Sequence, residues 1–321
     1  AAILHGKGVP LTWYGTMARV LQYGDCHTLE LDIPADRRVA QFVAPAGKTI
    51  SDPTAAVAAG LSNPGDVPPL SQATVPGDRV AVALDPSVPR LAAIVAGLVQ
   101  TLLDRDIRPS DIAIVEPAVD QRPHRPDPRD ELPAAVASDV QRVIHDPHDR
   151  QQLSYLAASS EGRPIHLNRT LYDAELVIPV NCLRPTRSLG IHGKHRGLFP
   201  AFSDQETIDR FRQPDRYQTS ADRQWRTDEG DQVGWLLGVA VAIAVVPAAA
   251  GQALHILAGE VGSVFRRGQS LADSAWEFQV PHRAGLVVAS IGPSGEPATW
   301  HDVACGLAAA GAIVADNGAT V

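Results

Sequence analysis

Hydrophobic positions fall into short unbroken runs, set between longer stretches where they recur every three or four residues. Unbroken runs bounded by turn residues suit buried strands, and the helical spacing suits amphipathic helices that cover them. Residues 79–84 (RVAVAL) predict a strand, 91–103 a helix and 111–115 (DIAIV) a second strand, which together form a β-α-β unit. The charged segment 116–131 carries Pro117, Pro123, Pro126 and Pro128, and reads as an irregular loop at the carboxyl end of that strand. A helix over 132–143 follows. Residues 153–157 and 164–167, joined through Ser159-Ser160-Glu161-Gly162, predict a hairpin. Residues 176–180 (LVIPV) predict a buried strand that Pro179 places near a sheet edge or makes irregular.

The segment 203–232 is polar and charged and reads as surface structure. Residues 233–259 contain no Asp, Glu, Lys or Arg and are long enough to span a bilayer. Gly238, Pro247 and Gly251 interrupt them, and His255 lies among them, so the expectation is a buried strand, turn and helix. Residues 284–289, a helix near 302–310 and residues 312–315 repeat the β-α-β logic. The expected fold is therefore α/β: a parallel-sheet first domain over 1–280, and the start of a second, truncated α/β domain over 281–321.

Composition narrows the classes. Of 321 residues, 45% are hydrophobic and 20% charged, which excludes a disordered or collagen-like chain. The net charge of -8 argues against a general nucleic-acid surface, and no nucleic-acid or membrane partner is expected. Cys26, Cys182 and Cys305 are scattered, odd in number and free of C-x-x-C spacing, so they read as reduced thiols of a cytoplasmic protein. The first ten residues lack the continuous apolar core of a secretory signal.

Chemistry concentrates after the 176–180 strand, in RPTRSLGIHGKHRGLFP over 184–200. Arg184, Arg187, Lys194, His195 and Arg196 surround Gly190, Gly193 and Gly197. Glycines let backbone N–H groups approach a ligand and the cations neutralise it, so the segment reads as a cradle for a small phosphate or carboxylate. A solvated basic loop facing acidic surface is the plainer reading. His124, after the 111–115 strand, is placed as a general acid or base near neutral pH. Asp85, Ser87 and Arg90 follow the 79–84 strand and read equally as a turn capping the next helix or as substrate contacts. His192 and His195 converge on a metal only if the loop turns helically and a third ligand arrives. His145 and His148, with Pro147 between them, predict an open, solvated turn.

In order along the chain, Leu61-Ser62-Asn63-Pro64 with Pro69-Leu70, Asp85 with Pro89, His124-Arg125-Pro126 with Glu131-Leu132, residues 174–178 (AELVI), the 190–200 loop and Thr207-Ile208 resemble the nickel-pincer lactate racemases. The resemblance covers nearly the whole chain and implies an α/β fold whose active site lies between two domains. It also implies a nickel-pincer nucleotide bonded to a loop lysine, a histidine on the nickel, two proton-transfer histidines and an arginine on the substrate carboxylate. His124 matches one proton-transfer histidine. At the other matched positions stand Thr186 for the second histidine, Arg196 for the cofactor lysine, Arg212 for the nickel ligand and Val88 for the carboxylate arginine, with Lys194 and Arg90 two residues from two of them. Cofactor contacts are expected from Gly190, His192, Gly193, Lys194, His195 and Arg196, and substrate contacts from Asp85, Ser87 and Arg90. The expected function is a divergent relative that binds a small anion, a 2-hydroxy acid or phosphate-bearing ligand, with racemase chemistry lost or altered. An active 2-hydroxy-acid racemase or epimerase using His124 and Lys194, and a non-catalytic regulatory or partner subunit, are the alternatives.

Overall fold

The computed structural model describes residues 20–23, 27–31, 33–45, 47–62, 74–117, 126–185, 193–213, 220–291 and 300–321. Its centre is a six-stranded sheet ordered β10-β9-β8-β3-β4-β5, made of Ala253–Glu260, Val241–Pro247, Leu176–Cys182, Val80–Leu84, Ile112–Glu116 and Gln141–Ile144. All neighbours run parallel except β10, which returns antiparallel to β9. The strands β3, β4 and β8 are buried at every residue, as expected of parallel strands covered on both faces.

Alternation along β3 sorts its side chains between two cores. Val80, Val82 and Leu84 point to the face covered by α1 (Pro53–Ser62) and α2 (Leu91–Leu103), where they meet Val57, Ile94, Leu98 and Leu102. Ala81 and Ala83 point the other way, into a core with Leu198, Phe199, Phe202, Phe211 and Val233. Small residues on this face leave room for the bulky aromatic cluster. On the first face α1 and α2 pack closely, because Gly97 presents no side chain: a Cβ there would stand 2.6 Å from the Thr54 carbonyl oxygen.

Around the sheet lie α3 (Ala134–Asp139), the hairpin of β6 (Leu153–Ala158) and β7 (Pro164–Asn168), α4 (Arg169–Tyr172), α5 (Gln205–Arg212), α6 (Ser220–Leu236) and α7 (Val261–Trp276). A separate pair, β1 (Val20–Tyr23) and β2 (His27–Glu30), is antiparallel. The last elements are β11 (Ala284–Val287), α8 (Trp300–Gly311) and β12 (Val314–Thr320), with β11 and β12 parallel. They enclose a small core of Ala284, Val287, Ala310 and Ile313, against which Phe278 and Val280 also pack. Among the described residues, no helix is long and apolar enough to cross a membrane.

The helix at 91–103, the hairpin and the strands at 79–84 and 111–115 form where the pattern places them, within a residue or two. Four expectations do not hold. The 132–143 segment forms only the short α3 and then the edge strand β5, because Arg142 leaves the helical path to pair with Glu116 at the end of β4. Strand β8 is central, between β3 and β9. Its Val180 carbonyl accepts from Asp85 N on the β3 side, so Pro179 faces the β9 side, where pairing begins only at Val180. The missing N–H therefore costs no ladder bond.

The uncharged 233–259 segment supplies the strand β9 but then a second strand, β10, in place of a helix; its first residues, Val233 to Leu236, end α6. The polar 203–232 segment is not simply surface. It folds into α5 and α6, which bury Ile208, Phe211, Arg210, Arg226 and Glu229. The Arg210 guanidinium donates to Glu229 at 3.0 Å, which lets charged residues enter the interior as a pair.

Candidate functional site

Strands β3 and β8 are neighbours, yet the chain leaves β3 for β4 on one side and reaches β9 from β8 on the other. Such a divergence, at the carboxyl ends of the strands, is the position where open α/β sheets hold ligands. Asp85, the residue after β3, and Asn181 and Cys182, the last two of β8, line the floor there.

Asp85 organises the floor. One carboxylate oxygen accepts from Ser87 N at 2.9 Å and Ser87 Oγ at 2.5 Å; the other accepts from Cys182 N at 3.2 Å and from the Arg196 guanidinium at 2.9 Å. Burial alone raises the Asp85 carboxyl, but the Arg196 charge, the two Ser87 bonds and Arg184 outweigh it and hold the group below the ordinary carboxylate range. Burial and the Asp85 charge push the Cys182 thiol up to about 11, so it is an inert packing group.

The glycine-rich loop closes over this floor. Gly193 takes a φ of 112°, which favours glycine, and residues 194–200 form tight turns in which Leu198 N and Phe199 N donate to the His195 carbonyl. Leu198 and Phe199 anchor the turn in the aromatic core. Gly197 lies directly on Asn181: a Cβ there would stand 1.8 Å from Asn181 Oδ1. Lys194 Nζ reaches Asp231 on α6 at 3.3 Å, with both side chains about a third exposed. The His195 ring is 2% exposed and lies on the α6 backbone at Gly234, where a Cβ would meet three ring atoms at 2.4 Å. Burial pushes its pKa down to about 4, against the pull of Asp231 and with help from Lys194.

Asn181, Gly193, Lys194 and Arg196 form the polar side of a small cavity that is partly open to solvent; Leu183, Ala242, Ala244, Val261, Val264 and Phe265 form the apolar side. Two buried atoms here, Asn181 Oδ1 and Arg196 Nε, have no hydrogen-bond partner.

The expected residues therefore divide. Asp85, Ser87, Gly193, Lys194, His195 and Arg196 come together. Arg90 is exposed, with φ 55°, at the start of α2, and Val88 is 5% exposed in the core, so the position matched to the carboxylate arginine faces inward. Arg212 is exposed in the last turn of α5. His124, Thr186, Arg187, Gly190 and His192 lie outside the described residues. His195 is sealed beneath α6, and among the described residues no group of three His, Cys, Asp or Glu could hold a metal.

His145 is not solvated as expected. It is 1% exposed, donating from Nε2 to the Ser203 carbonyl at 2.8 Å and accepting at Nδ1 from Asn168 at 3.1 Å, while His148 is exposed. Asn181, Asp231, Gly234 and the α7 side of the cavity are additions. Of these, only Asn181 carried a signal, as a polar residue closing an otherwise apolar strand.

The fold defines an α/β protein whose mainly parallel sheet switches strand order between β3 and β8. The profile of the lactate racemase N-terminal domain matches residues 23–214, more than half of the chain, and the chain belongs to that family. Its fold is similar to that of the lactate racemase apoprotein from Thermoanaerobacterium thermosaccharolyticum, with a TM-score of 0.65 at 15% identity over 84% of this chain and 65% of that one. A protein from Thermotoga maritima gives a TM-score of 0.57 at 14% identity over 76% of this chain and 65% of that one. The chain thus spans 65% of the length of each. None of the curated proteins compared with it matches.

Proposed function

We propose that this protein binds a small organic anion beside Lys194 and Arg196, in the cavity at the carboxyl end of β8 next to β9 and α7, and that it does so without the lysine-attached nickel-pincer nucleotide implied by its resemblance to the nickel-pincer racemases. The observation that carries the reading is the Arg196–Asp85 pair. Arg196 stands where the resemblance places the cofactor lysine, and its guanidinium is 12% exposed and held by Asp85. A guanidinium stays protonated and cannot form the amide-type bond an amine forms. The residues present do not fit the attached group, so no step is routed through it. His195, buried and held neutral, does not take the place of a nickel ligand.

What remains suits an anion: Lys194 and Arg196 line one cavity beside the Gly193 backbone. In this reading His124 is the remaining acid–base group, and racemase chemistry is lost or altered. We further read residues 1–280 as one domain and 281–321 as the beginning of a second.

The second reading, an active 2-hydroxy-acid racemase, draws support from Lys194, which lines the cavity two residues from Arg196. Calorimetric titration with lactate and with phosphate tests the anion site. Binding that weakens at least tenfold in Lys194→Glu, and further in Lys194→Glu/Arg196→Glu, is the expected result. Absence of binding to either anion, or affinity unchanged in both variants, overturns it.

A further inference from the structure

His145, the residue after β5, lies where four parts of the chain meet, and its proton state decides whether they stay joined. Its backbone N–H donates to the Glu116 carbonyl at the end of β4. The ring donates from Nε2 to the Ser203 carbonyl at 2.8 Å, accepts at Nδ1 from the Asn168 amide nitrogen at 3.1 Å, and stands 5.9 Å from the Phe202 ring, centroid to centroid. The Asn168 amide is not free to turn over, because its Oδ1 accepts from Thr170 N at 3.0 Å and so caps α4. Asn168 N in turn donates to the Phe202 carbonyl at 2.8 Å, and Leu167 bridges to Ser203. Phe202 and Ser203 follow directly on the turns that begin at Lys194, and Leu198, Phe199 and Phe202 share one core. The far end of the glycine-rich loop is thus fastened through this imidazole.

A proton added at Nδ1 turns an acceptor into a donor that faces the Asn168 amide nitrogen, itself a donor. Two donors do not bond each other. Either the amide turns to offer Oδ1, which strips Thr170 N of its cap, or the imidazolium withdraws and leaves the Ser203 carbonyl. We propose that His145 is an acid-released fastening: protonation undoes this junction and frees the Ser203 end of the glycine-rich loop while the parallel sheet stays folded. The charged groups on the elements packed against the ring are Asp146 on its own segment, Asp204 at the start of α5, itself 3.6 Å from His166 Nδ1, and Glu116 on β4, whose carboxylate Arg142 holds. Asp146 and Asp204 favour the imidazolium, but burial outweighs them, so the junction holds at neutral pH and yields only below the ordinary histidine range. It works the same way whatever the loop binds.

An NMR titration of the full chain from neutral to mildly acid pH reads the switch. The His145 ring and the Thr170, Phe199 and Ser203 amides should shift together, with one midpoint below about 6.5, while the Val82 amide on β3 stays in place. In Asn168→Asp the carboxylate accepts from both Thr170 N and the imidazolium. The His145 midpoint should then rise by at least about one pH unit, roughly a tenfold gain in proton affinity, and the three amides should keep their hydrogen-bonded positions as the ring charges. His145→Gln, with nothing to titrate there, should show no coupled shift. A ring that never titrates, or that titrates while Thr170, Phe199 and Ser203 stay still, overturns the proposal, as does a coupled shift that survives in His145→Gln. Movement of Val82 with the rest marks unfolding of the whole chain and overturns it equally. So does a midpoint that Asn168→Asp lowers or leaves alone. Where a variant does not fold, the titration of the unaltered chain decides by itself.

Discussion

Arg196 and Asp85, 111 residues apart in the chain, meet through a 2.9 Å bond from the guanidinium to the carboxylate at the carboxyl ends of β3 and β8. Each side chain is 12% exposed, so neither is well hydrated without the other. Removing one partner of such a buried pair costs about 3–5 kcal/mol, while removing both is often close to neutral. Arg196→Met should therefore destabilise the protein by about 3 kcal/mol, and Asp85→Asn/Arg196→Met should recover most of that loss. Urea unfolding of the two single variants and the double variant measures the coupling. Additive losses would show that the two groups do not act as a pair.

The two buried histidines set a pH dependence whose sign is fixed by their neutral state. His195 is pushed down to about 4, and burial also lowers His145 despite the Ser203 carbonyl and nearby Asp146 and Asp204. An unfolded histidine takes its proton near pH 6.5. Below that value the unfolded chain binds protons that the fold refuses, so stability present above about pH 6.5 is lost as the pH falls toward 4. Asp127, held at about 2 by its bonds from Arg129 against burial, loses its contribution only below the ordinary carboxylate range, at still lower pH. Urea midpoints should fall between pH 7 and pH 5, the His195 NMR resonances should stay nearly unshifted over that interval, and those of His145 should titrate below the ordinary histidine range. An imidazole of either residue that titrates near 6.5 would contradict the burial argument.

Two glycines one turn apart on α6 should respond oppositely to alanine. Nothing lies within 4 Å of a Cβ at Gly230, so Gly230→Ala should stabilise the helix by about 0.5–1 kcal/mol. At Gly234 the added Cβ meets the His195 ring at 2.4 Å, and Gly234→Ala should cost about 1–3 kcal/mol and shift the loop. Thermal melts read the first effect, and the His195 resonances read the second. Equal responses at the two sites would mean that the ring does not rest on α6.

The sequence carried most of the sheet, because continuous apolar runs such as VAVAL and the even spacing of Ile94, Leu98 and Leu102 reflect burial directly. It misled where a local pattern competed with a distant partner. Residues 132–143 have helical spacing, yet Arg142 answers Glu116 from another strand; Pro179 looks like an edge residue because its sheet register is not written locally. Half of the site was readable for the same reason. Asp85, Lys194 and Arg196 announce themselves by charge beside glycines at strand ends. Asp231, Gly234 and Val264 come from helices whose approach to the loop is a tertiary fact, and Gly234 matters only because it lacks a side chain.

The match to the lactate racemase N-terminal domain and the departure at Arg196 meet in one measurement: the intact mass of the full chain after production alongside the proteins that make and attach the nickel-pincer nucleotide. Attachment needs an amine where this chain places a guanidinium bound to Asp85. The expected mass is that of the unmodified polypeptide, with a covalent adduct appearing only in Arg196→Lys. A nucleotide adduct on the unaltered chain, mapped by peptide fragmentation to Lys194, would contradict the account and establish the loop as a cofactor site.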